Sequence, residues 1–318
     1  MKVEWPAEKI PGQIGTIVLG KTADQGGTRK VSHTIGGGKS MPFIRAENGT
    51  PHRPRIAMEV HSGKPEFQGA GAEELAGVMD DPIAWAKACE NDWGADLVCL
   101  KFTSANPDGM DCSVEETAAL TKEMLGATGL PLMFYGCGDE EKDAAIMSAI
   151  GDLIKPEGAI IGLAENDKYK SMAAAAIAYN ATLVAFSNLD INLAKQLNIL
   201  LLEYDFPANR ILMDPLQGAL GYGVEYSFSV IERIRLAALS GDKTIQMPMV
   251  CDASIGNNYR EAYEPSDVWG TPKTRNILWE GVTAMSSMVG GADLVIVRCP
   301  STVKYLNGML DRLVGGEG

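Results

Sequence analysis

The amino-acid sequence predicts an α/β protein, a single (β/α)8 TIM barrel with an N-terminal β-hairpin extension. Three observations carry this. From Arg55 onward, eight short, mostly apolar runs alternate with segments of helical spacing, the pattern of parallel strands covered by helices. The boundary Gly94-Ala-Asp-Leu-Val98 returns as Gly291-Ala-Asp-Leu-Val295, each time a glycine that stops a helix ahead of a strand start. No linker interrupts the series, and so many equal units in succession suit a closed barrel better than an open doubly wound sheet. The expected division is residues 1–54 as hairpin extension and connector, and residues 55–318 as the barrel.

In chain order, residues 14–20 and 29–35 are β-like runs on either side of the polar turn 21–28. They read as a hairpin placed to plug or cover one end of the main domain. Gly36-Gly37-Gly38-Lys39-Ser40 has the look of a phosphate loop, but His33 stands where that motif needs its first glycine and Pro42 follows where it needs a helix. The stretch reads as a connector. Strands are expected at residues 56–61, 96–102, 132–137, 159–164, 182–187, 211–216, 245–252 and 294–299. Helices are expected at 82–91, 114–125, 140–150, 168–179, 191–203, 224–239, 274–288 and 302–313. The alanine-rich tract 172–176 and Met285-Ser-Ser-Met288 fit helix packing better than cofactor boxes.

With 318 residues, 46% of them hydrophobic and 22% charged, the chain can bury a substantial core, which argues against disorder. Lys and Arg number 28 against 41 Asp and Glu, a formal net charge of −13 with no basic run. That balance speaks against nucleic acid and anionic membrane as partners. Residues 1–6 hold no apolar signal core and no apolar stretch is long enough to span a bilayer, so a cytoplasmic protein is expected. The six cysteines, Cys89, Cys99, Cys112, Cys137, Cys251 and Cys299, form no Cys-x-x-Cys pair. Four of them, Cys99, Cys137, Cys251 and Cys299, fall in expected strands, and the set reads as reduced thiols, mostly core, with no iron–sulfur or zinc site.

In such a barrel the chemistry gathers at the carboxyl ends of the strands. There the sequence offers His61, Ser62, Lys101, Thr103, Ser104, Asn106, Gly136, Gly138, Glu165, Asn166, Ser187, Asn188, Asp214, Gln217, Asp252, Ser254, Asn257, Asn258 and Arg298, a polar mouth without a clear nucleophile. Its centre is Asp214-Pro-Leu-Gln-Gly-Ala-Leu-Gly-Tyr-Gly223, where a strand runs through Gly218, Gly221 and Gly223 into a helix. Such a loop either brings a ligand close to backbone amides at the positive end of a helix, or simply makes a tight connection. Asp214 likewise either positions a ligand or fixes the bend before Pro215. The loop over 253–272, which mixes Asn257, Asn258, Tyr259, Arg260 and Trp269, is the second contact region; its alternative reading is an interface or surface excursion. His61 suits a hydrogen-bonded structural role better than that of a metal ligand or base. Nothing beside Lys101 in sequence argues for the lowered pKa that a Schiff-base lysine needs.

Asp214-Pro-Leu-Gln-Gly-Ala-Leu-Gly-Tyr-Gly-Val-Glu-Tyr-Ser227, with Met247-Pro-Met-Val-Cys-Asp252, Trp269-Gly-Thr-Pro272, Met58-Glu-Val60 and residues 291–295, carries a resemblance that covers most of the chain. The sequence resembles the small subunit of the corrinoid iron–sulfur protein, whose archaeal counterpart is the delta subunit of the acetyl-CoA decarbonylase/synthase complex. The resemblance implies a TIM barrel paired with a large subunit that carries a [4Fe-4S] cluster and a cobalamin domain, with the corrinoid lying between that domain and this barrel's mouth. It implies a methyl carrier of the reductive acetyl-CoA (Wood–Ljungdahl) pathway, whose cobalt receives a methyl group from methyltetrahydrofolate and passes it to acetyl-CoA synthase. The implied partners are that large subunit, a methyltetrahydrofolate:corrinoid methyltransferase and acetyl-CoA synthase. The lack of a cysteine cluster motif and of an Asp-x-His-x-x-Gly pattern agrees with a non-autonomous chain that caps the cofactor without ligating it.

On that reading the cofactor-facing residues are Asn106, Asp214, Gln217, Gly218, Gly221, Tyr222, Asp252, Ser254, Asn257, Asn258 and Tyr259, with no catalytic residue and no metal ligand. Most offer uncharged donors and acceptors matched to the amide side chains of a corrin. The family is also similar to pterin-binding methyltransferase barrels, which hold a pterin with Asp and Asn at strand ends. Asn106, Asp214 and Asp252 imitate that pattern, and a methyltransferase acting on a separate corrinoid protein is the alternative.

Overall fold

The structure is a computed structural model that describes residues 10–44, 47 and 49–314. Residues 1–6, read above for a signal core, lie outside these. The chain opens with an antiparallel hairpin, β1 (Thr16–Leu19) and β2 (His33–Gly36), paired from Thr16 against Gly36 to Leu19 against His33. The barrel follows as β3 (Arg55–His61), α1 (Gly69–Leu75), α2 (Pro82–Asn91), β4 (Leu97–Lys101), α3 (Val114–Ala127), β5 (Leu132–Tyr135), α4 (Glu140–Ile154) and β6 (Ile160–Ala164). It continues as α5 (Tyr169–Ala178), β7 (Thr182–Phe186), α6 (Ile191–Glu203), β8 (Ile211–Asp214), α7 (Val224–Leu239), β9 (Val250–Asp252), α8 (Arg260–Tyr263), α9 (Pro272–Gly290), β10 (Leu294–Val297) and α10 (Pro300–Val314). The parallel strands run in the order β8-β7-β6-β5-β4-β3-β10-β9. The ring closes between β8 and β9, where Met213 bridges Met249 and its amide donates to the Pro248 carbonyl at 2.9 Å.

Every expected strand is present, and the seventh differs most, running over Val250–Asp252 where 245–252 was expected. Lys243–Ile245 instead close a 3-10 turn, whose first residue follows Asp242; the Asp242 carboxylate accepts from the Thr244 amide at 3.1 Å. Pro248, lacking an amide hydrogen, has nothing to donate to a ladder. The helix α1, with 7 residues, is too short for a helical period to show in sequence.

The repeated Gly-Ala-Asp-Leu boundary has a physical basis in two places. Gly94 and Gly291 adopt φ of +70° and +137°, outside the range that side chains favour. Two residues on, Asp96 accepts from the Ile56 amide at 2.9 Å and pairs with Arg55 at 3.0 Å. Asp293 accepts from the Met249 amide at 3.0 Å and pairs with Arg235 at 2.7 Å. Each aspartate thus ties its own strand to the neighbouring one.

Successive strand residues point to opposite sides of the sheet, so the core falls into two layers. One packs the strands' outer faces against the helices, with Ile56, Met58, Val98, Leu100, Phe134 and Trp85 among its members. The other fills the barrel with Ala57, Leu97, Cys99, Met133, Tyr135, Ile160, Val184, Leu212, Val250, Leu294 and Ile296, joined by Ile17, Leu19 and Ile35 of the hairpin. Because Leu97, Val250 and Leu294 begin their strands, the hairpin plugs the amino-terminal end of the barrel. Arg29 anchors it: buried, it pairs with Glu157 at 2.7 Å and donates to the Thr128 and Leu125 carbonyls, each at 2.7 Å. Among the described residues no helix is long and apolar enough to cross a membrane. All six cysteines are free thiols; Cys99 and Cys251 lie in strands, whereas Cys137 and Cys299 stand just past strand ends.

Candidate functional site

With the plug at one end, the open end of the barrel is the carboxyl-terminal mouth. The alternation that fills the interior carries Glu59, Lys101, Tyr135, Asp214, Asp252 and Arg298 to that level, two residues beyond Ala57, Cys99, Met133, Leu212, Val250 and Ile296. Glu59 is fully buried within β3. Its carboxylate receives Lys101 Nζ at 2.6 Å, Ser254 Oγ at 2.8 Å and the Arg298 guanidinium. Burial would raise the Glu59 pKa, but Arg298, Lys101 and His61 beside it hold it well below the usual carboxylate range.

Lys101 also reaches Asp252 at 2.7 Å, and Ser254 Oγ, whose single proton can serve either acid, lies 2.6 Å from Asp252. Burial disfavours the lysine's charge, yet Asp252 and Glu59 raise its pKa above the ordinary lysine value. A lysine locked as ammonium is no Schiff-base nucleophile, which agrees with the sequence. His61 stands 3.3 Å from Glu59 and stacks on Trp85 with ring centroids 6.0 Å apart. Arg298 lies 3.7 Å over the Phe67 ring, and its backbone amide donates to Glu280, which burial pushes up to about 7.

Asp214 ends β8 as a buried carboxyl. Its Oδ1 accepts from the Leu216 amide at 2.9 Å, fixing a turn in which Leu216 takes φ of +69°. Burial pushes Asp214 up to about 7, with Asp252 adding and the Leu216 amide and Lys101 opposing. Beside it opens a cavity of about 360 Å³. Strands contribute Lys101, Tyr135, Leu163, Phe186, Asp214 and Asp252; loops and helices add Glu165, Lys168, Met172, Leu216, Gln217 and Ile255.

The residues singled out in the sequence fall into separate groups. Asp214, Gln217 and Asp252 line the cavity. Ser254, Asn257 and Asn258 sit on a 3-10 turn, Ala253–Asn258, and serve the Glu59 cluster: Ser254 bonds Glu59, and Asn258 accepts from Arg298 at 2.9 Å, while Asn257 is buried beside Cys299. The loop over 253–272 is therefore partly structured, by this turn and by α8. Gly221, Tyr222 and Tyr259 form an outer rim, where the two tyrosine rings stack 3.8 Å apart and Tyr222 donates to Glu261 at 2.5 Å. Asn106 stands apart, its amide donating to the Cys137 carbonyl at 3.2 Å and accepting from the Asp108 amide at 2.8 Å.

Four amides of the glycine-rich loop are bonded within the protein. The Gly218 amide donates to Ser227 Oγ at 2.6 Å, the Leu220 amide to Thr283 Oγ1 at 3.2 Å, and the Tyr222 and Val224 amides to the Ala219 carbonyl at 2.8 and 3.1 Å. A Cβ on Gly218 would lie 2.7 Å from the Gly223 backbone, so this glycine lets the loop fold on itself. Gln217 is buried and donates to the Gly218 carbonyl at 2.6 Å while accepting from Ser287 Oγ. Of the two readings of the loop, the tight connection is the one these bonds build. Glu59, Tyr135 and Glu280 were not singled out as site residues. The signal for Glu59 was an acid inside an apolar strand run, which demands a buried cation.

A family model described as the CO dehydrogenase/acetyl-CoA synthase delta subunit matches residues 16–309. The chain is 32% identical over 322 residues to the acetyl-CoA decarbonylase/synthase complex subunit delta of Archaeoglobus fulgidus, covering 99% of this chain and 71% of that protein. It is 34% identical over 303 residues to the corresponding subunit of Methanothermobacter thermautotrophicus, covering 95% and 76%. Among solved structures it is similar to a Xanthomonas albilineans dihydropteroate synthase in complex with 7,8-dihydropteroate, with a TM-score of 0.54 and 18% identity, covering 84% of this chain and 95% of that one. A Coxiella burnetii dihydropteroate synthase in complex with pteroic acid gives a TM-score of 0.55 at 11% identity, covering 83% and 95%. At those identities the structural likeness is one of fold. The nearly full-length sequence matches go further: this chain belongs to the family of CO dehydrogenase/acetyl-CoA synthase delta subunits.

Proposed function

We propose that this chain is the non-autonomous barrel subunit of a methyl-transfer complex and that its mouth caps a corrinoid held mainly by a larger partner subunit. The observation that carries the reading is the family match over residues 16–309, whose relatives are named as subunits of an acetyl-CoA decarbonylase/synthase complex. The mouth suits a cap. A corrin with its amide side chains exceeds a cavity of about 360 Å³, so it would lie across the opening rather than inside it. In the segments that follow β8 and β9, Tyr222, Tyr226 and Trp269 are 42%, 65% and 55% exposed, aromatic faces able to cover part of a large flat molecule.

A bound corrinoid would supply methyl acceptance and release at cobalt. This chain's residues would cover and orient it and keep water out. Among the described residues no group of three or more His, Cys, Asp or Glu is arranged to hold a metal. Tyr222 and Tyr259 would supply apolar ring faces, and Asn258 an exposed amide at the rim. The [4Fe-4S] cluster belongs, in this reading, to the partner. Methyltetrahydrofolate:corrinoid methyltransferase and acetyl-CoA synthase are the proteins it would meet in turn.

The test is isolation of the native protein from cells that make it. A second, larger chain with corrinoid absorbance should co-purify, and Tyr222→Ala should alter the corrinoid spectrum and slow its methylation. A chain that purifies alone and transfers methyl groups from methyltetrahydrofolate to added cobalamin would replace this reading with the methyltransferase one.

A further inference from the structure

We propose that the outer face of α9 is the contact through which two copies of this chain pair, antiparallel across a two-fold axis that passes between Val282 and Met285. The inference goes beyond the capping role and does not depend on it.

What marks the face is the charge it lacks. From Thr274 to Gly290, α9 carries two charged side chains, Arg275 and Glu280, and both are buried. Every other α-helix among the described residues exposes at least one acid or base, for example Lys87 of α2, Glu115 of α3 and Lys304 of α10. In place of charge, Leu278, Val282 and Val289 of α9 are 43%, 40% and 45% exposed, with the half-buried Met285 between them. Loss of charge over a row of exposed apolar side chains marks an interface rather than a solvated helix.

The form of the row selects a second copy as the occupant. Leu278, Val282, Met285 and Val289 step by four, three and four residues, the spacing by which one helix packs along another. That spacing reads alike in both directions. Turned about the two-fold axis, the row sets Leu278 against Val289 of the second copy and Val282 against Met285 of the second copy, as an isologous contact requires. Beside the amino-terminal half of the row lies a groove of about 340 Å³ walled by Leu220, Trp269, Leu278, Trp279 and Val282. The antiparallel arrangement brings the carboxyl-terminal half of the second α9, with its Met285 and Val289, over that groove. Each copy thus offers the other the same hollow and the same row.

Size and net charge agree. The 19 residues of α9 make a helix about 28 Å long, and with the edges of α7 and α10, about 10 Å to either side, the face offers on the order of 600 Å² per copy. Two such faces reach about 1,200 Å² in total, the lower end of specific interfaces. Each copy carries a formal charge of −13, so two copies repel over most of their surface and approach at least cost through an uncharged face. Salt screens that repulsion and therefore strengthens the pair.

Sedimentation equilibrium of the full chain over roughly 1–200 μM, a range that brackets micromolar affinity, tests this. The mass should rise from 34.0 kDa towards twice that value, and the rise should be steeper at high salt than at low. Leu278→Glu and Val289→Lys should each weaken pairing at least about tenfold, because each buries a lone charge in the contact. Mixed in equal amounts, the two variants should pair again, since the new acid of one faces the new base of the other while the second contact keeps Leu278 on Val289. An acid in the first half of the helix and a base in its last turn suit its dipole, so both variants are expected to fold, which their melting curves verify. A parent chain that stays at 34.0 kDa at the highest concentration, variants that pair as the parent does, or a mixture that remains monomeric would each overturn the proposal. So would a monomer whose α9 face is taken by a larger subunit, with Leu278→Glu blocking that complex. Since the assay needs no corrinoid, failure of the capping role leaves this outcome readable, and the reverse holds as well.

Discussion

Replacing Asp214 by asparagine should make the protein more stable at neutral and alkaline pH. Burial raises this carboxyl from 3.8 to about 7. The unfolded chain releases the proton near the lower value and the folded protein near the higher one. Between them the folded state holds a proton that the unfolded state lacks, so stability falls as pH rises from about 4 to about 7 and is level above that. A gap of about three, at about 1.4 kcal/mol each, puts the loss on the order of 4 kcal/mol. Asparagine keeps an oxygen for the Leu216 amide and carries no charge at any pH. Glu280, which burial also pushes to about 7, titrates in the same window but is present in both proteins, so their difference isolates Asp214. Urea unfolding followed by tryptophan fluorescence at pH 5, 6, 7 and 8 measures it. The advantage of Asp214→Asn should grow with pH and level off near pH 7. A variant no more stable than the parent at pH 8, or one with the same advantage at pH 5 as at pH 8, would refute the reasoning.

Glu59→Gln leaves Lys101 and Arg298 short of their shared acid in a buried cluster and should cost about 3–5 kcal/mol in chemical denaturation. Arg29→Ala strands the buried Glu157 carboxylate beneath the plug, with a loss of similar size, about 3–5 kcal/mol, and earlier proteolysis of the hairpin. Gly218→Ala forces a Cβ to within 2.7 Å of the Gly223 backbone and should cost about 1–3 kcal/mol. Gly109→Ala, whose Cβ meets nothing nearer than 3.5 Å, is the control and should stay within about 0.5 kcal/mol in the same denaturation series.

The barrel was legible from Arg55 onward because continuous apolar runs and helical spacing are local signals, each contained within a few residues. α2, α6 and α7 begin and end where spacing alone placed them. The strand-end level was legible too, since barrel geometry assigns the mouth to the residues that close each run. Partnership was not. Met58-Glu-Val60 shows an acid among apolar residues, but nothing in the run says that Lys101, Arg298 and Ser254, from three distant segments, converge on it. Tyr135 reads as one more aromatic residue until the barrel turns it inward beside Asp214.

The glycine-rich loop marks the boundary most clearly. From sequence, Gly218, Gly221 and Gly223 before a helix permit either an open cradle of amides or a closed turn. The choice fell to Ser227 and Thr283, whose hydroxyls take the Gly218 and Leu220 amides. Sequence alone determined the barrel and its N-terminal hairpin, because periodicity is a property of neighbouring residues. Only the tertiary structure decided which of the groups at the mouth satisfy one another and which, like Tyr135 Oη beside the cavity, are left without a partner. Hydrogen bonds and charge pairs at a barrel mouth join strands far apart in the chain, and their partners exist only once the ring has closed.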